Sequence, residues 1–143
     1  MNIEFMQTAI SLAKRSGKDI PVGAVIVREG EIIAQSFNEK EKSKNPVKHA
    51  EIIAIEKACE KLKNWRLNGC EMYVTLEPCP MCSWALIQSR ISKVYFGAYD
   101  NLYGALGSKI DLRTLLDSNL KVKGGILEDE CNNIIKTYFE ALR

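Results

Sequence analysis

The chain has 143 residues, of which 46% are hydrophobic and 27% are charged, and its formal net charge is +2. These values exclude a disordered or fibrous chain and fit one soluble globular domain spanning residues 1–143. The mild basicity permits an anionic partner without demanding one. The longest apolar run, residues 20–27, is too short to cross a membrane. The first twenty residues are charged and do not resemble a signal peptide, so we expect a cytoplasmic protein.

Hydrophobic spacing predicts the elements of the first third of the chain. A first helix ends near Gly17. Its apolar positions are Ile3, Met6, Ile10 and Ala13. Two strands follow at residues 22–27 and 31–37, and Glu29-Gly30 between them predicts a hairpin turn. Residues 38–48 have no apolar periodicity and predict a polar loop.

The middle of the chain predicts two further helices around one strand. A helix begins at His49 and ends before Asn68-Gly69. Its predicted buried stripe is Ile52, Ile55, Cys59 and Leu62. A strand at residues 71–76 leads into Pro78-Cys79-Pro80. Residues 81–90 then predict a helix, because proline suits the first turn, where its missing N–H costs nothing.

The last third predicts a short strand at residues 93–96, a glycine-rich loop, a short helix near residues 112–116 and a strand at residues 120–123. A final helix has a clear apolar face. This face comprises Cys131, Ile134, Ile135, Tyr138, Phe139 and Leu142. Strands that alternate with helices indicate an α/β sandwich in which helices cover both faces of one sheet. Trp65 and Trp84 are interpreted as packing residues.

One histidine and two cysteines have the spacing of a metal site. His49 is the only histidine, and Cys79 and Cys82 follow about thirty positions later in a Pro-Cys-x-x-Cys segment. Each segment lies at the start of a predicted helix, where the partial positive charge favours thiolate over thiol. An imidazole and two thiolates bind zinc and leave its fourth position to water.

Glu51 is the expected catalytic group beside this metal. On the flank of a helix, residues two apart point to opposite sides. At a helix tip, however, first-turn side chains surround the end of the axis, so His49 and Glu51 can reach the same site. A zinc ion with two thiolates and a neutral imidazole is formally uncharged and a moderate Lewis acid. A carboxylate nearby helps it by taking the proton of the bound water.

Other readings of these residues stay open at this point. Cys79 and Cys82 alone have the spacing of a redox pair. Cys70 could complete a closed structural zinc site as a fourth ligand. The remaining cysteines, Cys59 and Cys131, fall on apolar helix faces and are expected in the core.

The segments His49-Ala50-Glu51 and Pro78-Cys79-Pro80-Met81-Cys82 resemble the signature of the zinc deaminases. The chain is thus similar to the cytidine deaminase superfamily, and most closely to the bacterial tRNA-specific adenosine deaminases. Further segments carry the resemblance along most of the chain. They are 21–25, 75–82, 89–91, 96–98, 104–108 and 125–131.

The resemblance implies one zinc-dependent deaminase domain with a three-layer α/β/α sandwich and a five-stranded mixed sheet. It implies one Zn²⁺ per subunit, a homodimer, and deamination of adenosine to inosine at the wobble position of a tRNA anticodon. Hydroxide on zinc would attack C6, Glu51 would move protons, and ammonia would leave. Asn38 would contact the base or ribose, and the backbone near Ala50, Pro78 and Cys79 would meet the base.

The loop after residue 98 departs from that family. Tyr99 and Leu102 stand where basic residues are usual, whereas Asp100 is retained. Asp100 is expected at the substrate, and Tyr99 and Tyr103 could stack on unpaired bases, with core packing as the alternative. Lysines precede the catalytic helix at positions 40, 42, 44 and 48. They predict either a basic RNA approach or an ordinary solvated loop.

Three other functions remain for this signature. The first is a deaminase of guanine, cytosine or a cytidine nucleotide, which shares the Pro-Cys-x-x-Cys segment. The second is a zinc subunit without activity that binds RNA, although such subunits typically lack the carboxylate that Glu51 supplies here. The third is an oxidoreductase that uses Cys79 and Cys82.

Overall fold

The computed structural model describes residues 1–143 and contains one five-stranded mixed sheet. The strands lie in the order β2-β1-β3-β4-β5. The strand β1 is antiparallel to both of its neighbours, and β3, β4 and β5 are mutually parallel. The elements are α1 Ile3–Ala13, β1 Gly23–Arg28, β2 Glu31–Phe37, α2 Lys40–Ser43, α3 Ala50–Leu62, β3 Cys70–Leu76, α4 Pro80–Gln88, β4 Lys93–Ala98, α5 Leu112–Leu115, β5 Lys121–Lys123 and α6 Glu128–Ala141.

Two hydrophobic clusters make the three layers. One face of the sheet packs on α3 and α4 through the larger cluster, which includes Met72, Val74 and Leu86. The other face packs on α1 and α6 through a second cluster, which includes Met6 and Tyr73. Along β1 and β3, alternate side chains enter opposite clusters, as the period of two requires. The predicted α/β/α sandwich and its five-stranded mixed sheet are therefore confirmed. None of the helices combines the length and the apolar character needed to span a lipid bilayer.

Two predictions around the third helix need correction. The segment predicted as an irregular loop contains one short helix, α2, which ends at Lys44 in the left-handed conformation. The buried residues of α3 are Ala50, Glu51, Ile53, Ala54 and Ala58. The predicted stripe of larger side chains is only half-buried. Alanine methyl groups let the helix approach the sheet closely, which moves the bulkier neighbours toward the edge of the contact.

The final helix is present as predicted, but only part of its apolar face is covered. Cys131 is buried, whereas Phe139 and Leu142 are exposed. The close contact at Cys131 depends on Gly97 of β4, because a Cβ at Gly97 would collide with the Sγ of Cys131. Cys131 therefore fills the core as expected. Cys59 is half-buried and packs against the edge of the larger cluster.

Candidate metal centre

The starts of two helices meet at one place on the molecule. His49 is the N-cap residue of α3, and Cys79 is the N-cap residue of α4. Pro80 occupies the first position of α4, and Cys82 lies about one turn after Cys79. Neither N-cap side chain bonds its own helix, so both are available to a ligand. The predicted convergence of the two segments is present.

The distances between the three donor atoms suit a tetrahedral zinc ion. The Nδ1 atom of His49 lies 3.7 Å from the Sγ of Cys79 and 3.5 Å from the Sγ of Cys82. All three donor atoms lie within 4.8 Å of one another. Zinc bonds of about 2.3 Å to sulfur and about 2.0 Å to nitrogen, at a tetrahedral angle, separate S and N by about 3.5 Å. The residues therefore fit zinc.

The structure offers three protein ligands and no fourth. The group of metal-binding side chains comprises His49, Cys79 and Cys82 alone. Cys70 is buried at the opposite end of β3, about 20 Å along the extended strand from the site. A closed site completed by Cys70 is thus ruled out by geometry. An open position is the arrangement of catalytic zinc sites.

The two thiols and the imidazole affect one another's pKa values. A hydrogen bond from the Cys82 thiol, together with His49, lowers the pKa of Cys79 to about 4, although burial opposes this effect. The same hydrogen bond and burial raise the pKa of Cys82. A hydrogen bond with Cys79 raises the pKa of His49. The two thiols shift in opposite directions because they share one hydrogen bond.

Glu51 lies in the first turn of α3 and is buried, with only 4% of its surface exposed. Burial raises the pKa of its carboxyl to about 7, and the negative charge of Cys79 acts in the same direction. Cys82 is close enough for the two groups to affect each other's pKa. A carboxyl group that titrates near neutral pH can both take and give a proton. This environment suits the role predicted for Glu51.

Asn38 holds the start of α3. Its Oδ1 accepts a hydrogen bond of 2.8 Å from the Ala50 N–H, and its Nδ2 donates one of 2.8 Å to the Ile20 carbonyl. The carbonyl oxygen of Ala50 accepts from the Ser36 hydroxyl at 2.5 Å. The carbonyl oxygen of Pro78 likewise accepts from Ala105 N–H and the Ser83 hydroxyl. These predicted substrate-binding groups lie at the site and also have partners within the protein.

The loop after β4 spreads the other predicted substrate residues apart. Tyr99 packs edge-on against Phe96, with 5.0 Å between the ring centroids. The Oδ1 of Asp100 accepts hydrogen bonds from the N–H groups of Leu102 and Tyr103 and so closes a turn. At the tip of this turn Tyr103 is 67% exposed and Leu102 is 74% exposed. Tyr99 is itself 48% exposed, so it combines this packing contact with a solvent-accessible surface, and the base-stacking prediction for both tyrosines stays a prediction.

The lysines before α3 are partly neutralised. Lys42 pairs with Glu39 at 3.8 Å, and Lys48 pairs with Glu56 at 2.9 Å. Lys40 and Lys44 have no ion-pair partner. The charge of Lys40 acts on His49, where it lowers the imidazole pKa against the larger opposing effects. A positive contribution at the site therefore comes mainly from one lysine rather than from four.

Three further residues differ from expectation. Trp65 and Trp84, which were interpreted as packing residues, are 54% and 46% exposed, so neither belongs to the core. They line a surface groove with the polar residues Gln88 and Arg90. Glu77 received no role from the sequence, yet its carboxylate is buried and accepts several hydrogen bonds from the loop after β4. Its position directly before Pro78-Cys79 was the one available signal.

The fold and the site together define the class of protein. It is a metal-dependent α/β/α protein whose metal site has three protein ligands and an open fourth position, as catalytic sites have. The chain belongs to the family of the cytidine and deoxycytidylate deaminase zinc-binding region, which matches residues 1–98. This membership confirms both the family resemblance and zinc as the cofactor. His49, Glu51, Cys79 and Cys82 all lie within the residues that this family matches.

Individual relatives are similar over nearly the whole chain. A tRNA-specific adenosine deaminase of Bacillus subtilis (strain 168) is 41% identical, over 97% of this chain and 89% of the relative. A solved tRNA:A34 deaminase, studied for A-to-I editing at the wobble position, is 37% identical, with a TM-score of 0.86. That match covers 93% of this chain and 99% of the other. A solved guanine deaminase of Bacillus subtilis is 42% identical, with a TM-score of 0.66, over 69% of this chain and 66% of that one.

Proposed function

We propose that this protein is a zinc-dependent hydrolytic deaminase that converts adenosine to inosine at the wobble position of tRNA anticodons. One observation carries the chemistry. Three donor atoms lie at the spacing of a tetrahedral site with an open fourth position, and the buried carboxyl of Glu51 is close enough to Cys82 to affect its pKa. We also propose that residues 1–143 act as one deaminase domain.

The reaction replaces the amino group on C6 of adenine with oxygen from water, and ammonia leaves. Bound zinc supplies a nucleophile near neutral pH by lowering the pKa of water. Glu51 takes a proton from that water and delivers it to the ring nitrogen next to C6. It then moves the proton of the new C6 hydroxyl group to the amino group, so that the C6–N bond breaks, ammonia leaves and the C6 oxygen becomes a carbonyl. His49, Cys79 and Cys82 hold the metal, and no other titratable side chain of this cluster is left free to share the proton transfers.

Adenosine in tRNA is favoured over a free base by the extent of the similarity. The tRNA-specific relative and the tRNA:A34 deaminase keep 41% and 37% identity over at least 93% of this chain. A guanine deaminase structure keeps 42% identity over only 69% of the chain, and another covers 96% of it at only 22% identity. The exposed tip at Leu102 and Tyr103 provides apolar surface of the kind on which unpaired bases stack. A free base would require no such projecting surface.

We propose that the substrate contacts come from two places. Asn38, Ala50 and Pro78 adjoin the metal ligands in the chain or through a hydrogen bond, so we place the nucleoside against them. Asp100 and Tyr103 belong to the exposed turn, so we place the flanking nucleotides there. Tyr99 supports that turn from behind through its contact with Phe96.

The remaining proposals concern assembly and location. We propose a homodimer in which both subunits contact RNA, as the family resemblance implies. Trp84 and Leu116 are exposed apolar residues that such an interface could bury. We propose a cytoplasmic location, because the substrate is tRNA.

A substrate comparison tests the proposal. The zinc-loaded protein is incubated with an anticodon stem-loop carrying adenosine at the wobble position, with free guanine and with cytidine. Inosine in the RNA and ammonia are measured. The matched control is the same stem-loop with guanosine at that position. We expect inosine in the adenosine stem-loop only. Ammonia from guanine or cytidine without inosine in RNA would overturn the substrate, and RNA binding without turnover would indicate a subunit lacking activity.

A further inference from the structure

Glu77 is a fully buried carboxylate placed one step before the metal-binding segment. It follows β3, and Pro78 and Cys79 come directly after it. Only 2% of its surface is exposed. No lysine or arginine pairs with it among the ion pairs of the protein. A buried carboxylate without a counter-charge must be stabilised by hydrogen bonds.

Those hydrogen bonds all come from one loop, residues 99–108. The Oε1 atom accepts from the Asp100 N–H at 3.2 Å and from the Ser108 hydroxyl. The Oε2 atom accepts from the N–H groups of Leu106 at 3.1 Å and Ser108 at 3.0 Å. One carboxylate thus holds both ends of the loop.

Gly104 makes this arrangement possible. A Cβ at that position would lie 2.5 Å from the Cδ and 2.6 Å from the Oε2 of Glu77. The neighbouring Ala105 N–H donates to the carbonyl oxygen of Pro78 at 2.9 Å. The loop is therefore fastened to two successive residues, Glu77 and Pro78, immediately before the zinc ligand Cys79.

The attachment continues to the exposed tip. Glu77 fixes the N–H of Asp100, and the Oδ1 of Asp100 in turn accepts from the N–H groups of Leu102 and Tyr103. The position of Tyr103 relative to Cys79 is therefore set through a short series of hydrogen bonds. A side chain that binds substrate must be held in this way to contribute its full binding energy.

We propose that Glu77 is a positioning residue that fixes the substrate-facing turn at residues 100–103 relative to the zinc ligands. This inference rests on the proposed function, because it assigns the turn to RNA binding. Glu77 itself touches neither the metal ligands nor the reacting atoms. Its loss should therefore affect KM for RNA more than kcat.

The variant Glu77→Gln removes one of the four hydrogen bonds that Glu77 accepts from the loop. A glutamine amide has one oxygen, which should face the N–H groups of Leu106 and Ser108, since that orientation retains two strong acceptor contacts. Its NH₂ group then donates to the Ser108 hydroxyl and leaves the Asp100 N–H without an acceptor. The substitution thus releases the end of the loop that carries the turn.

We expect KM for the adenosine stem-loop to rise about 10- to 100-fold in Glu77→Gln, as loss of a hydrogen bond to a charged group predicts. We expect kcat within about threefold of wild type and one zinc per chain. Ser108→Ala removes only the hydroxyl contact and should raise KM about threefold, the effect of one ordinary hydrogen bond, and an unchanged KM would count against the inference. This milder variant keeps the test valid if Glu77→Gln does not fold.

Amide hydrogen exchange of the zinc-loaded protein without substrate tests the same inference separately. In Glu77→Gln, exchange should accelerate at residues 100–103 while Leu106 stays protected. This measurement stands even if wild-type protein leaves the stem-loop unchanged, so failure of the proposed function is distinguishable. Unchanged exchange and KM would overturn the inference. Loss of zinc with a parallel fall in kcat would also overturn it, since Glu77 would then support the metal site itself.

Discussion

Glu51→Gln is the sharpest perturbation of the proposed chemistry. Glutamine has nearly the shape of glutamate, so the first turn of α3 and the adjoining Cys82 should keep their places. The amide can neither take a proton from water nor deliver one to the base. Because burial disfavours the ionised carboxyl and raises its pKa, removing the charge should not destabilise the fold.

The expected loss of activity follows from how many proton transfers depend on this group. General acid–base catalysis by one side chain contributes about 10²- to 10⁴-fold. Glu51 is 4% exposed, and the neighbouring titratable groups are the three metal ligands. With no substitute at hand, we expect the upper end of that range. A fall in kcat of about 10⁴-fold corresponds to about 5 kcal/mol of transition-state stabilisation.

The assay measures inosine formation on the adenosine stem-loop at saturating substrate, together with zinc content. Glu60→Gln is the matched control, because it removes an exposed carboxylate from the same helix. We expect Glu51→Gln to bind zinc and RNA as wild type does, and Glu60→Gln to have normal activity. A Glu51→Gln protein that retained more than about a tenth of wild-type kcat would refute the assignment of Glu51 as the proton carrier.

Three further outcomes follow from the structure. His49→Ala should weaken zinc binding more than about 100-fold in a chelator competition. Loss of a residue that only hydrogen-bonds to a metal ligand already lowers metal affinity by up to about 100-fold. Unchanged affinity would show that His49 is not a ligand. Asn38→Ala leaves the Ala50 N–H and a carbonyl oxygen without partners, so chemical denaturation should show a loss of roughly 2–4 kcal/mol, and an unchanged midpoint would contradict this. Burial raises the pKa of Cys131 to about 12, so this thiol should resist alkylation at pH 8 until the protein unfolds, and rapid labelling in the folded state would disprove the packing against Gly97.

The metal ligands could be predicted from the sequence for a local reason. Each ligand lies at the start of a helix whose boundary is marked in its own segment, by the polar loop before His49 and by Pro80 after Cys79. Short-range signals of this kind do not depend on the rest of the fold. The same reason explains why the strands and the hairpin at Glu29 and Gly30 were predicted within a residue or two.

Burial was harder to predict, because it depends on which element covers which. The face of α3 that contacts the sheet is built on Ala50, Ala54 and Ala58, and the larger Ile52 and Ile55 lie beside it. Hydrophobicity alone ranks isoleucine above alanine, whereas close packing of a helix on a sheet favours the smaller side chain. The exposure of Trp84 could likewise not be predicted from its hydrophobicity, because it depends on which element covers that side chain.

The part played by Glu77 lay beyond sequence reasoning. Its partners Asp100, Leu106 and Ser108 follow it by more than twenty residues. Three of the four donor groups are backbone N–H groups, and all four lie in a loop without periodicity. A glutamate before Pro78-Cys79 predicts an exposed charge by default. Only the fold of the glycine-containing loop, with its space at Gly104, buries this carboxylate.

Reaction of the protein with the adenosine stem-loop in oxygen-18 water tests the central claim most directly. Metal-depleted, zinc-reloaded and Glu51→Gln proteins are compared, and the wobble nucleoside is analysed by mass spectrometry. We predict inosine carrying one oxygen-18 atom and an equal amount of ammonia, from the zinc-reloaded wild type only. Unchanged adenosine with the zinc-reloaded protein, or equal inosine formation without zinc, would contradict the account.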